Sequence, residues 1–266
     1  MRNYYKQKKT KIMKMKYFIP LILLFFTSCA TIVRQVLPLE NLPIPTGEYN
    51  VGTKIFTWKD SSRMEWFGEE SNKYRRIPVQ VWFPMEGGTK QLNSPYLQYP
   101  KDYIRVISTD FNIPGSLLLN IENIRTSATI DGNPKTRLGK RPIIIFSHGL
   151  GGFKNQNTIQ MEELASHGYI IFACDHVYDA GFVRFSGDEI VYSKSFVRHF
   201  PKGTSEEEYW DTREKHLLIR SQDISFIIDQ IEKLDTIDPA LSLLCDSQNI
   251  SLMGHSFGGS TVLSTY

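Results

Sequence analysis

Two apolar runs are uninterrupted by polar residues, Ile143–Phe146 and Tyr169–Cys174, and a third β-branched and apolar run, Ile250–Met253, is broken only by Ser251. The two continuous runs predict strands buried on both faces, and the third predicts a further strand. Between the first two, Met161, Leu164 and Ala165 share one side of a helical wheel, which predicts an amphipathic helix over Asn157–His167 that Gly168 closes. Between the second and third, Leu217, Ile224, Ile227, Ile228, Ile231 and Leu234 recur at helical spacing and predict a long helix over Ser205–Leu234. Strand, helix, strand, helix, strand in that order predicts a doubly wound, mostly parallel α/β sheet.

Upstream, Tyr49–Trp58 and Ile77–Phe83 are rich in β-branched and aromatic residues and are separated by the polar stretch Lys59–Arg76. They predict two antiparallel strands. Residues 86–140 are broken by Gly, Pro and polar residues. They read as an insertion over one face, with a helix expected around Pro114–Ile121. Residues 177–208 are irregular and aromatic (Tyr178, Phe182, Phe185, Tyr192, Phe196, Phe200), which suits either a lid over a site or simple loop packing.

The 266 residues, 41% hydrophobic and 22% charged, suffice for one domain with a sizeable core. The net charge of +3 is a property of the leader. Residues 1–28 carry seven basic residues and no acid, which leaves 24 bases against 28 acids in the remainder, a net of −4. A mildly acidic body gives no footprint for nucleic acid. The basic stretch, the apolar run Tyr17–Phe26 and Thr27-Ser28-Cys29 read as an export signal, because about ten apolar residues are too few for a span of roughly 20. The small residues before Cys29 resemble a bacterial lipoprotein cleavage site. Lipidated Cys29 as a membrane anchor in the cell envelope is the leading expectation, with plain secretion or an uncleaved anchor as alternatives. Residues 29–48, with Pro38, Pro43 and Pro45, then form a linker to a domain over 49–266.

Cys174 closes one predicted strand and Cys245 precedes another. In a parallel sheet they lie at opposite ends, farther apart than the ~7 Å between Cα atoms that a disulfide spans. Both are expected to be free.

Candidate chemistry concentrates at two strand ends. The last run leads into Gly254-His255-Ser256-Phe257-Gly258, a G-x-S-x-G sequence between a strand and a small-residue helix. That context predicts a sharp turn that projects the Ser256 hydroxyl beyond the sheet, with glycines where a Cβ would clash. Ser256 is the candidate nucleophile. A tetrahedral oxyanion needs N–H donors. The amide of Phe257, just after the serine, is one candidate. The other is Leu150 in His148-Gly149-Leu150-Gly151-Gly152, the loop after Ile143–Phe146. No Gly-Lys-Ser/Thr follows these glycines, so a phosphate-binding P-loop is excluded. His148 is expected to brace this loop and His255 to pack beside the turn. Asp175 and His176 read as strand-end residues bonded to a loop. A serine nucleophile of this architecture takes its acid and base from later in the chain. All six histidines precede Ser256, so the triad Asp and His are expected beyond residue 266. The Ile250–Met253 strand is then expected to form an apolar sheet edge within these 266 residues.

Leu42–Gly47, Pro78–Pro84, Phe146–Gly152, Asp175-His176 and Gly254–Gly259 together resemble the platelet-activating-factor acetylhydrolase family, calcium-independent phospholipases A2 of the α/β-hydrolase fold. The resemblance runs from about Pro43 to Tyr266. It implies hydrolysis of a short or oxidised sn-2 acyl ester of a phospholipid through a serine acyl-enzyme, with no metal or other cofactor. Under it, Ser256 is the nucleophile and Leu150 and Phe257 are the oxyanion donors. A carboxylesterase or polyester hydrolase of the same fold is the nearest alternative, since fold does not decide substrate. A non-catalytic surface lipoprotein that keeps the shell is the alternative of a different class.

Overall fold

A computed structural model describes residues 41–65, 73–91, 94–194 and 203–265. The leader, Cys29, Phe196, Phe200 and Tyr266 lie outside the described residues. The central sheet is built from β1 (Asn50–Met64), β2 (Tyr74–Met85), β3 (Arg141–Ser147), β4 (Ile170–Cys174) and β5 (Cys245–Gly254). Its spatial order is β5-β3-β4-β2-β1, with the two-residue strand Thr129–Ile130 beyond β1. The β5–β3 and β3–β4 pairs are parallel, whereas β4–β2 and β2–β1 are antiparallel. The expected α/β architecture is present, with its antiparallel entry.

Alternation along β3 and β4 explains why their runs are continuously apolar. Ile143 and Ile145 of β3, with Ile170 and Phe172 of β4, face one layer; Phe146, Ile171 and Ala173 face the other. α2 (Thr158–Ser166) covers the second layer with Met161 and Ala165. α3 (Glu206–Glu232) covers the first with Ile224, Ile227 and Ile231. Each of these seven side chains is therefore buried whichever way it points. Truncating a core aromatic such as Phe172 to Ala costs about 3–5 kcal/mol in such a setting.

Ser205 caps α3, its hydroxyl accepting the Glu208 amide N–H at 3.1 Å, and three glutamates in the first turn complement the helix dipole. α4 (Phe257–Leu263) follows β5. Among the described residues β5 pairs only with β3, so it stands at the sheet edge. Its Ile250 and Leu252 pack partly against the α3-side core.

The insertion differs from expectation. Its regular helix is α1 (Pro100–Phe111), whereas Pro114–Ile121 forms only the short 3₁₀ turns Gly115–Leu117 and Leu119–Asn123. Pro100 starts α1 and Asn112, in the left-handed conformation at φ 53°, ends it. Tyr103 and Val106 supply a buried face, while Leu117 stays exposed and gives the next segment nothing to pack a longer helix against. Within the aromatic region, Phe182–Arg184 and Ile190–Tyr192 form a small hairpin, and Phe182 packs on Tyr103 and Phe153. Cys174 and Cys245 are both free and buried.

Candidate active site

β3 and β5 deliver the two glycine-bearing segments to one place. The His255 amide N–H donates to the Ser147 carbonyl at 3.1 Å, continuing the parallel register past the end of β5. Ser256 then adopts φ 53° and ψ −120° and is exposed to solvent. A non-glycine residue in such a conformation costs on the order of 1–3 kcal/mol and persists only where its surroundings impose it. Here they do. A Cβ on Gly254 would overlap the Gly258 backbone, and one on Gly258 would overlap the Ser147 carbonyl. The first glycine answers to the second, as the spacing predicts; the second answers mainly to the neighbouring strand.

The loop after β3 touches this turn directly. A Cβ built on Gly149 would lie 2.9 Å from His255 Nδ1 and 3.4 Å from Ser256 Cβ. The Gly151 amide donates to the Asp179 carbonyl and the Gly152 amide to the Gly149 carbonyl, both at 3.0 Å. The Gly258 and Gly259 amides donate back to His255 and Ser256 at 2.8 Å. Among the described residues, the amides of Leu150 and Phe257 donate to no protein acceptor. The three residues singled out in the sequence thus sit on two adjoining segments.

Beneath the turn lies a buried polar network that sequence reasoning missed. The inner face of α3 changes character along its length: Arg213, His216, Arg220 and Asp223 are buried, and Ile224, Ile227 and Ile231 continue the same stripe. Extending the apolar face backwards by steps of three and four residues reaches those charged positions, which was the available signal. Asp223 accepts from Arg75 (Nε 3.1 Å, Nη2 2.6 Å), from Arg63 Nη2 at 3.0 Å and from His176 Nδ1 at 3.0 Å. Arg75 also donates to Glu65 at 2.9 Å. With Nδ1–H committed to Asp223, His176 Nε2 accepts the Ser147 hydroxyl proton at 2.9 Å. His148 donates from Nδ1 to the Gly149 carbonyl at 2.6 Å and accepts the His176 amide N–H at Nε2 at 3.1 Å. Its ring therefore spans the loop and the segment that follows β4. Asp175 accepts both the Lys154 amide and ammonium at 2.6 Å, which makes it loop-bonded as expected.

Burial, reinforced by Arg220, holds the His148 imidazole well below its ordinary pKa and lowers that of His176 to about 4. Burial alone raises the Asp223 carboxyl, but Arg75 and the His176 hydrogen bond outweigh it and keep the group ionised. Ser147, His176 and Asp223 repeat the hydrogen-bond order of a catalytic triad. All three are fully buried, so no substrate carbonyl reaches Ser147, and Asp223 is already bonded to two arginines. No histidine among the described residues is hydrogen-bonded to Ser256; His255 is exposed beside it. A cavity of about 140 Å³ over β1 and β2 is walled by Trp82, Tyr96, Tyr103, Lys154, Asp175 and Phe182, and Ser256 is not in its wall.

A doubly wound sheet with a strained strand–turn–helix serine beside a glycine loop defines a protein of the α/β-hydrolase fold. The solved structure of a ferulic acid esterase from Streptomyces cinnamoneus shares this fold, with a TM-score of 0.65 and 24% identity over 85% of this chain and 58% of that one. The family model described as platelet-activating factor acetylhydrolase, isoform II, matches residues 38–266, and the chain belongs to that family. The platelet-activating factor acetylhydrolase of Cavia porcellus is 25% identical over 243 residues, covering 84% of this chain and 52% of the relative. That of Bos taurus is 30% identical over 152 residues, covering 50% of this chain and 34% of the relative. The chain spans about half the length of the first of these relatives, and less of the second.

Proposed function

We propose that this chain carries the nucleophile-bearing part of a serine esterase that hydrolyses the short sn-2 acyl ester of phospholipids. The observation that carries the reading is Ser256 at φ 53°, exposed at the tip of the turn, beside two segments whose Leu150 and Phe257 amides remain available. Family membership supports the ester and the phospholipid.

In this mechanism Ser256 Oγ attacks the sn-2 carbonyl carbon as its proton passes to a base, and the Leu150 and Phe257 amides meet the developing oxyanion. Collapse breaks the ester C–O bond and releases the lysophospholipid, which takes that proton. Water then attacks the acyl-Ser256 ester, yielding the short carboxylic acid and free serine. The base and the acid that orients it complete the machinery in the order Ser, Asp, His that this fold uses. The leader pattern supports lipidation at Cys29, which would hold the enzyme at a membrane where its substrate resides.

The test compares the protein translated from the whole reading frame with its Ser256→Ala variant on sn-2 acetyl phospholipid, a long-chain phospholipid and a soluble acetyl ester. Acetate release that S256A abolishes, and that falls with acyl length, is expected. Equal hydrolysis by S256A overturns the reading. Cleavage of the soluble ester alone moves it to a general carboxylesterase. Replacing Cys29 by Ala and following incorporation of labelled palmitate tests the anchor.

A further inference from the structure

Arg220 is fully buried, 36 residues before Ser256 in sequence, yet its guanidinium touches both segments of the candidate site. Nη2 donates to the His148 carbonyl and, at 3.1 Å, to Ser147 Oγ. The guanidinium carbon lies 5.0 Å from the centroid of the Phe257 ring, within cation–π range. The His148 carbonyl immediately precedes Gly149-Leu150, and Phe257 opens α4. One cation therefore fixes the peptide before one candidate oxyanion amide and the side chain of the residue that bears the other.

Two further observations favour a role beyond packing. Nε and Nη1 of Arg220 have no hydrogen-bond partner among the described residues, and Nη1 approaches Asp179 Oδ2 only to 3.9 Å. A buried guanidinium left half-satisfied is costly, and each such group requires a reason for its retention. The neighbouring Asp179 also holds the loop, its carbonyl accepting the Gly151 amide at 3.0 Å.

We infer that Arg220 is the positioning residue of the oxyanion-binding segments, locking the 148–152 loop and the start of α4 in mutual register. The inference rests on the esterase reading for its catalytic consequence, though not for its structural one. Because the guanidinium is planar, its donors and its face are placed simultaneously, so a lysine replaces it only in part. Arg220 does not contact substrate; it acts through two backbone amides. Loss of those amides' alignment weakens the transition state more than the ground state, and so lowers kcat while KM stays nearly constant.

The test uses the full-length protein with Arg220→Met, Arg220→Lys and, on the exposed side of the same helix, Lys215→Met. Two readouts are taken: hydrogen exchange of peptides covering 148–152 and 257–259, and kcat and KM on a soluble acetyl ester. Expected for R220M is exchange at least ten-fold faster in those two segments with β3 and β4 unchanged, and kcat lowered about 10- to 100-fold with KM within three-fold. R220K should recover part of both, and K215M should match the wild type. Should R220M fail to fold, R220K carries the same comparison with smaller changes. Unchanged exchange in the two segments, a uniform rise across the sheet, or a loss confined to KM overturns the inference. A wild-type protein with no esterase activity overturns the esterase reading instead, and the exchange data still decide whether Arg220 holds the segments.

Discussion

The α-carbon of Gly258 faces the carbonyl oxygen of Ser147 with no room for a further carbon between them, so the first turn of α4 sits directly on the end of β3. This contact joins the Ser256 turn to the neighbouring strand and sets how closely the two glycine segments approach. Gly258→Ala must either push α4 away or shift β3. The expected loss is about 1–3 kcal/mol, typical of overpacking, seen as a lower urea midpoint at unchanged m-value. Esterase activity of the full reading frame should fall by at least ten-fold. A G258A protein with wild-type stability would show that the helix slides freely on β3.

Ser256 stores strain that a glycine would relieve. Its φ of 53° with ψ −120° is unfavourable for any side chain. Ser256→Gly is expected to raise stability by about 1 kcal/mol, since the penalty for a residue held in such a region is of order 1–3 kcal/mol and glycine's greater unfolded entropy offsets part of it. Thermal unfolding of S256G beside S256A separates strain relief from loss of the hydroxyl: S256G should melt above S256A. The reverse order would mean that the turn is unstrained.

Breaking the Asp223 cluster should be severe. Asp223→Asn leaves Arg75 and Arg63 facing a neutral amide in a site where Arg75 and Asp223 are both fully buried. Removing one partner of a buried pair costs about 3–5 kcal/mol, a large share of the stability of a domain this size. Urea unfolding of D223N measures it, and a change below about 1 kcal/mol would mean that the cluster is well solvated.

Stability should fall with acid well before carboxylates protonate. His148 and His176 have folded pKa values below the unfolded value of about 6.5. Such a group takes up its proton in the unfolded chain first, so its contribution is complete above pH 6.5 and is lost as pH drops towards the folded value, about 4 for His176. Each histidine adds a slope of up to about 1.4 kcal/mol per pH unit in that window. The lowered carboxyl groups Asp60, Glu163, Glu189 and Asp223 act only below the ordinary carboxylate range. Glu162, raised by burial, works in the opposite sense near its own pKa. Urea midpoints at pH 7.5, 6.5 and 5.5 should drop steeply over the lower step, and His148→Asn should flatten that step. A flat profile across it contradicts neutral burial of both rings.

Much of this arrangement is legible along the chain. Continuous apolar runs marked β3 and β4 because a strand covered on both faces needs no polar alternation, and the run Ile250–Met253 before the glycine-flanked serine marked β5. Periodic isoleucines marked the inner half of α3. The G-H-S-F-G sequence marked the turn, since its crowding tolerates glycine at both flanking positions, and the glycine loop after β3 followed from the same local geometry. α1 was missed although Pro100 and the Tyr103/Val106 spacing signal it, because the surrounding Gly, Pro and polar residues read as loop.

Ser256 on its turn, the buried strands and the free cysteines follow from patterns a few residues long, where local sterics and periodicity suffice. The placement of Arg75, His176, Arg220 and Asp223 does not. A charged residue reads as solvent-facing until its partners are known, and the bonds of Arg75 and His176 to Asp223 and of Arg220 to Ser147 and His148 span 47 to 148 residues of sequence. Whether a charge is buried depends on the summed hydrogen bonds and ion pairs that offset its desolvation. Those sums exist only once the sheet has brought β2, β4 and α3 together, so only the tertiary structure decides which ionised side chains lie beneath the serine.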